Sequence, residues 1–437
     1  MLRPLIAVLA LLAAPAFAEV EVEEVTSPGG IEAWLIEDHT LPFLALEIRF
    51  EGGTALDPEG RRGAVNLMTA TLEEGAADMD ATAFAQAREA LAASFEFDSY
   101  SDAVSVSAAM LTENREEAVE ILRAALVEPR FDQGAIDRVR GQVLSIIRSD
   151  ETDPQALAAR AFAEAAFPGH PYGSADDGTA ESVAALTRED IVEAHRAAIA
   201  RDWVYVGAAG DITAEELGAL LDELLGALPE TGAPRPDRAE IALEPGVEVI
   251  EFDIPQSIIL FGHEGIARDD DDYLAAYVVD TALGGSGRQS RLMEEVRERR
   301  GLTYGIGTGL FPRELGDLYQ GSLSTANPNA GEVIEVVRDE FERIAEEGLT
   351  EDELAEVKEY LTGAYPLRFD GNGALASIAV GMQMVGLGPD YIAERNDLVD
   401  ALTLEEVNRV ASELIRPEEL SFVVVGRPEG IEGAVAD

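Results

Sequence analysis

Apolar and polar positions alternate with a period of two in short runs such as Leu44-Ala45-Leu46-Glu47-Ile48-Arg49-Phe50 and Val104-Ser105-Val106-Ser107-Ala108-Ala109-Met110. Each run predicts a strand. Segments 64–74, 80–93, 115–127 and 134–148 carry apolar residues at helical spacing and predict helices between and after the strands. The strands come as a group, and hairpin-like neighbours outnumber βαβ crossovers. That predicts an α+β fold, a mostly antiparallel sheet with helices packed on one face. The other face of the sheet, or its edge, is left to meet another body.

The same pattern occurs twice, at a period of about 215 residues. Leu186-Thr187-Arg188-Glu189-Asp190-Ile191-Val192 matches Leu402-Thr403-Leu404-Glu405-Glu406-Val407-Asn408, and each leads through a helix to a β-branched strand, Trp203–Gly207 or Leu420–Gly426. Gly30-Ile31-Glu32-Ala33-Trp34 matches Gly246-Val247-Glu248-Val249-Ile250. Glu117–Arg123 matches Gly331–Arg338, and the helices that follow open at Asp132 and Thr350, both natural N-caps. Two homologous lobes follow, residues 19–228 and 241–437. Between them, 229–240 is rich in Pro and Gly and reads as a linker.

Residues 1–18 stand outside this pattern. MLRPLIAVLALLAAPAFA has a positive start, an apolar run and an Ala16-Phe17-Ala18 cleavage signature, so it reads as a signal peptide and the chain as exported, in the periplasm; an uncleaved anchor is the alternative. No later stretch reaches membrane-spanning length. The chain has no cysteine, which excludes disulfides, thiol catalysis and Cys metal sites. With 85 Asp and Glu against 32 Lys and Arg, the net charge is −53. Nucleic acid and anionic membrane surfaces are therefore poor partners. The acidity fits solubility, as in a salty habitat, or attraction of basic peptides.

Few stretches suggest chemistry. Gly284-Gly285-Ser286-Gly287 lacks the Lys of a phosphate loop and reads as a turn. The four histidines, His39, His170, His195 and His263, are never three or four apart, so no helical zinc pair forms, and each reads as a surface or turn residue. Segment 283–310 reads as a glycine turn, an amphipathic helix with Leu292, Met293 and Val296 buried, a stop at Gly301 and a strand. On that strand Tyr304, Ile306, Thr308 and Leu310 share one face, and Thr303, Gly305, Gly307 and Gly309 the other. Arg297 could simply pair with Glu294, and Tyr304 could be an ordinary strand aromatic.

Several words in the chain resemble the M16 (pitrilysin/insulinase) zinc metallopeptidases, especially the bacterial two-subunit branch. They are Phe50-Glu51-Gly52-Gly53-Thr54-Ala55-Leu56-Asp57-Pro58, Glu73-Glu74-Gly75, Phe167-Pro168-Gly169-His170-Pro171-Tyr172-Gly173, and above all residues 290–304. The resemblance covers essentially the whole mature chain and implies a two-lobed M16-like fold. Catalytic members carry His-x-x-Glu-His after the first strands. Here Asn66-Leu67-Met68-Thr69-Ala70 stands in that place, and the position of the third ligand, a Glu in the family, falls near Ile146. Asn, Thr, Ala and Ile cannot make a catalytic Zn²⁺ site, so no metal is expected on this chain.

The resemblance further implies that a zinc-less subunit pairs with a zinc-bearing one and lends it an Arg and a Tyr seven residues apart. Arg297 and Tyr304 stand at that spacing in the matching motif. The expectation is a heterodimer whose partner holds the Zn²⁺ and whose substrate is an unfolded peptide. Gly284, Gly285, Ser286 and Gly287 fall where some relatives have a glycine-rich substrate loop. The alternatives are an inert structural protein of the same fold, as in respiratory complexes, and a self-dimerising peptide-binding protein.

Overall fold

The computed structural model describes residues 20–285 and 290–431. The first half runs β1 (Glu23–Thr26), β2 (Glu32–Glu37), β3 (Phe43–Glu51), α1 (Ala64–Thr69), the short hairpin β4 (Gly75–Ala76) and β5 (Met79–Asp80), α2 (Ala81–Ala90), β6 (Ser94–Ser99), β7 (Ala103–Leu111), α3 (Arg115–Val127), α4 (Gln133–Asp150), α5 (Pro154–Ala166), α6 (Ala180–Ala185), α7 (Arg188–Ala198), β8 (Val204–Gly210) and α8 (Ala214–Leu225). The second half runs β9 (Gly246–Glu251), β10 (Gln256–Glu264), α9 (Tyr273–Leu283), a π-helix (Met293–Arg299), β11 (Thr303–Phe311), β12 (Leu318–Ala326), α10 (Ala330–Glu347), α11 (Glu351–Ala364), α12 (Asn372–Met384), α13 (Tyr391–Ala401), α14 (Leu404–Leu414) and β13 (Ser421–Gly426). No described helix is long and apolar enough to cross a membrane.

The strand orders display the duplication. One sheet reads β1-β2-β8-β3-β7-β6 and the other β11-β12-β10-β13-β9. Each has a single parallel pair, β2 with β8 and β13 with β9, and is otherwise antiparallel. Thus β6 and β11 are equivalent, and both are edges. Each lobe has its own core between its sheet and its own helices. Leu46, Ile48, Phe50 and Val106 line the first, and Ile259, Phe261, Leu323 and Val424 the second. The repeated Leu-Thr words open α7 and α14 with reciprocal capping boxes, Thr187 with Asp190 and Thr403 with Glu406.

The face of each sheet turned away from its own helices meets the other lobe. α5 lies across β10 and β13, and its counterpart α12 lies across β8, β3 and β2. The two lobes therefore each lend one helix to the other. Phe162 of α5 packs with Ile258, Leu260 and Val423, while Leu375, Ala376 and Ala379 of α12 pack with Trp34, Ala45 and Ala209. The approach is close enough that a Cβ at Gly207 would lie 2.2 Å from the carbonyl oxygen of Ala376, so only glycine fits there. Segment 226–245 has no helix or strand, yet it is packed. Ala239 donates its N–H to Leu315 (2.7 Å) and Ala242 to Ala166 (3.0 Å), and the Arg235 guanidinium stacks on Trp203 (4.0 Å).

Two local expectations are corrected. The helix expected over 64–74 stops at Thr69. The Thr71 hydroxyl donates back to the carbonyls of Leu67 (2.9 Å) and Met68 (2.8 Å), and Gly75 then turns the chain at φ +122° into the small hairpin. Asp132 occupies the N-cap position of α4, but its side chain does not cap. Its carboxylate is taken by Arg130 Nε (2.7 Å), whereas Thr350 caps α11 in a box with Glu353.

Candidate functional site

The segment from Ser290 to Phe311 forms the free border of the second lobe. Its helix is a π-helix rather than the ordinary α-helix that its pattern predicts. The widened turn buries Leu292, Met293 and Val296, and also Glu295, whose carboxylate is held by Arg299 and by Arg300 (3.7 Å). Arg299 also takes Glu294 (2.7 Å), and so Arg297 does not pair with Glu294. Arg297 is one-third exposed, and among the described residues its one ion pair is with its neighbour Glu298, at 3.3 Å. Such π turns recur where side chains are presented for function.

The strand that follows carries a bulge. Thr303 pairs with Thr325 and Ile306 with Leu323, so Tyr304 and Gly305 together stand opposite Ser324. The buried Thr303 hydroxyl fixes this irregular turn by donating to the carbonyl of Ser324 (2.7 Å) and accepting the N–H of Gly305 (3.2 Å). The extra residue breaks the alternation that the sequence predicts. Ile306 is buried among the lobe's own helices, while Tyr304, expected on the same face, is 88% exposed. Among the described residues it is the most exposed large apolar or aromatic side chain. Gly305 and Gly307 line a shallow cleft on the opposite sheet face, with Ser322 and Ser324 beside them and Gln155 and Ala159 of α5 across it. No described hydrogen bond or ion pair joins Arg297 to Tyr304.

The border is tied to the core at two points. Arg291 Nε and Nη2 grip the Glu353 carboxylate at 2.7 and 2.9 Å, and Nη2 also reaches the carbonyl of Gly348 at 2.7 Å. These hydrogen bonds, together with those from Thr350, hold the Glu353 carboxyl well below the usual range, at about 2. At the second point Asp280, on α9, is buried at 4% exposure. It accepts the Thr308 hydroxyl (2.7 Å), which in turn accepts the Tyr319 hydroxyl (3.0 Å). Burial pushes the Asp280 carboxyl up to about 6. Gly284 accepts the Thr308 N–H at 2.8 Å, and the N–H groups of Gly284 and Gly285 close on the Asp280 carbonyl at 2.9 and 2.7 Å. Both glycines are buried, and a Cβ at Gly284 would strike the Thr308 hydroxyl at 2.5 Å. Ser286 and Gly287 lie outside the described residues. Neither Arg291 nor Asp280 was singled out from sequence, although a lone acid in the apolar run Tyr273–Leu283 signals a buried polar group.

The place of the family's zinc motif holds other chemistry. Asn66, at the start of α1, donates its amide to Asp177. Thr69 is 2% exposed, and its hydroxyl has no described partner. Ile146 is half exposed on α4, so neither side of the place supplies ligands. Asp57 accepts the N–H groups of Gly63 (2.7 Å) and Val65 (2.8 Å) and so fixes the start of α1, although burial raises its carboxyl to about 6. These residues do not fit Zn²⁺. Among the described residues no group of three His, Asp or Glu side chains could hold a metal ion. Two histidines expected at the surface are buried instead. His195 bonds the carbonyl of Leu126 (2.9 Å) and packs edge-on against Phe131, and His263 packs with Tyr319 and Phe341. Burial lowers the pKa of both.

Comparison with known proteins agrees with this geometry. Residues 33–179 match the family model described as insulinase (peptidase family M16), and residues 185–361 match the one described as peptidase M16 inactive domain. The non-peptidase homolog YmxG of Helicobacter pylori is 25% identical over 389 residues, 89% of this chain and 90% of that protein. An uncharacterized zinc protease of Mycobacterium tuberculosis is 30% identical over 309 residues, 68% of this chain and 69% of that protein. Among solved structures, a peptidase M16 inactive domain from Pseudomonas fluorescens superposes with a TM-score of 0.87 at 27% identity, covering 95% of this chain and all of that one.

Proposed function

The chain belongs to peptidase family M16 as an inactive, non-peptidase homologue, and from that premise we propose that it serves as the zinc-less subunit of a heterodimeric peptidase. In this reading a zinc-bearing M16 subunit supplies the metal and the base. This chain supplies Arg297 and Tyr304 to an unfolded peptide held between the two. Negative charge builds on the carbonyl oxygen as water attacks it, and a phenol O–H and a guanidinium are fixed donors for that charge. The supporting observation is Tyr304, an aromatic side chain 88% exposed at the tip of a hydrogen-bonded bulge. A merely structural tyrosine would gain nothing from a bulge that turns it away from the core. The signal-like residues 1–18 put the complex in the periplasm in this proposal.

The test is reconstitution with the zinc-bearing subunit. The isolated chain is expected to cleave no peptide, and the complex to cleave. Tyr304→Phe in the complex should lower kcat by roughly 10²–10³-fold, the usual loss when one oxyanion donor is removed. An unchanged rate with Tyr304→Phe would sink the catalytic role.

A further inference from the structure

A cleft of about 530 Å³ opens between the lobes, walled by β3, α9, α12 and α13 and by the turn after α11. In a chain with 85 acidic and 32 basic residues, its lining contains four arginines, Arg49, Arg268, Arg368 and Arg395, and no Asp or Glu. Of the four, only Arg49 has a described carboxylate partner, Glu47 at 3.3 Å.

Arg395 and Arg268 are held by neutral groups. Arg395 is 5% exposed. Its Nη1 donates to the carbonyl of Leu361 (2.9 Å) and to Asn396 Oδ1 (3.0 Å), and its guanidinium stacks on Tyr365 at 4.7 Å. The remaining guanidinium nitrogens have no described protein partner. Arg268 stacks on Tyr273 (4.3 Å) and bonds the Tyr391 hydroxyl (3.1 Å). Arg368 is exposed at the rim. A buried guanidinium without a counter-charge is costly, and a protein rich in carboxylates has had every opportunity to provide one. Apart from Ser377, which accepts a hydrogen bond from Arg49 at 3.3 Å, the rest of the wall is apolar or aromatic, with Leu274, Phe369, Ile378 and Met382. Size, a mostly apolar wall and a few convergent polar groups are the marks of a small-ligand site.

We propose that this cleft binds an amphipathic organic anion, a carboxylate carried on an aromatic or apolar body, with the carboxylate between Arg268, Arg368 and Arg395 and the body against the aromatic wall. The carboxylate comes either from a free small molecule or from the C-terminus of a peptide ending in an aromatic residue. The proposal stands whether or not the chain works beside a zinc subunit.

Calorimetric titration of the full chain tests it with two matched pairs. One is 4-phenylbutyrate and the neutral 4-phenylbutanol. The other is a short peptide ending in a phenylalanine free acid and the same peptide amidated. At least one acid should bind saturably with Kd below about 1 mM. Its neutral twin should bind at least about tenfold more weakly, and added salt should weaken the acid. The acid that binds identifies the source. Arg395 is too buried to change safely, so Arg268→Gln with Arg368→Gln is the variant. It should lose at least about tenfold in affinity with its thermal unfolding unchanged. Equal binding of acid and neutral twin, an unaffected double variant, or no saturable binding of either acid overturns the proposal.

Discussion

The two edge strands β6 and β11 occupy the same place in the two halves and have diverged in opposite directions. β6 pairs with β7 without interruption from Ser94 to Ser99. Its alternation is intact, with Phe95 buried, Phe97 half-buried, and Glu96 and Asp98 exposed. Charges along an exposed edge discourage pairing with another chain. β11 has glycines where β6 has acids, carries the bulge at Tyr304 and Gly305, and offers an uncharged border. Duplication has preserved the scaffold, from strand order to capping boxes, while the two edges departed from one another. One edge is guarded, and the other presents a side chain.

The sharpest way to break the contrast is to make β11 as regular as β6. Deleting Gly305 removes the extra residue, leaves Tyr304 alone opposite Ser324 and restores strict alternation. Tyr304 would then stand on the sheet face opposite Thr303 and Ile306, beside Gly307, instead of projecting from the bulge. In the reconstituted complex the expected loss in kcat is at least about 10²-fold, as large as that of removing the phenol O–H. Gly305→Ala is the control, because a Cβ there meets nothing within 4 Å. It should leave the rate unchanged. Wild-type activity without Gly305 would mean that the bulge has no part in the chemistry.

A smaller effect separates what lies beneath the edges. β11 is tied down through Thr308 to the buried Asp280, whose carboxyl sits at about 6 rather than 3.8. A folded-state value above the unfolded one gives stability that is complete below about pH 4 and lost as pH rises through about 6. Two pK units correspond to about 3 kcal/mol. Asp280→Asn keeps an acceptor for Thr308 and cannot ionise. It should unfold in urea at pH 8 with up to about 3 kcal/mol more stability than wild type, and the gap should close by pH 4. A gap that stays constant with pH would show that Asp280 does not titrate in this range.

Much of this was legible in the sequence, because repetition and period survive without coordinates. The strands around Leu46, Val106, Val206 and Val424 and the two lobes could be read from residue type and spacing, and the loss of ligands at Asn66, Thr69 and Ala70 from the resemblance to the M16 peptidases. The exchange of α5 and α12 could not, since two apolar helix faces do not say which sheet they cover. The bulge escaped for a related reason. Strict alternation is the assumption by which strand faces are read, and Thr303 breaks it through hydrogen bonds to Ser324 and Gly305 that leave no periodic trace. Likewise nothing periodic ties Arg291 to its partner Glu353, 62 residues away.

The smallest effect tests how closely two copies of one element must agree. α4 and α11 are equivalent, and both begin at residues suited to capping, Asp132 and Thr350. Thr350 accepts the N–H of Glu353 and receives its carboxylate in return, whereas Asp132 is turned toward Arg130. A cap that bonds the helix N–H groups is worth about 1 kcal/mol, while an exposed pair between neighbouring side chains is worth a few tenths. Thr350→Ala should therefore destabilise the chain by about 1 kcal/mol in urea unfolding, and Asp132→Ala by under about 0.5 kcal/mol. Glu353 is also the seat of Arg291, so Thr350→Ala loosens the support of the helix that carries Arg297, while Asp132→Ala touches nothing of that border. Equal losses in the two variants would mean that the caps are alike in solution, and that the two halves differ less than their hydrogen bonds indicate.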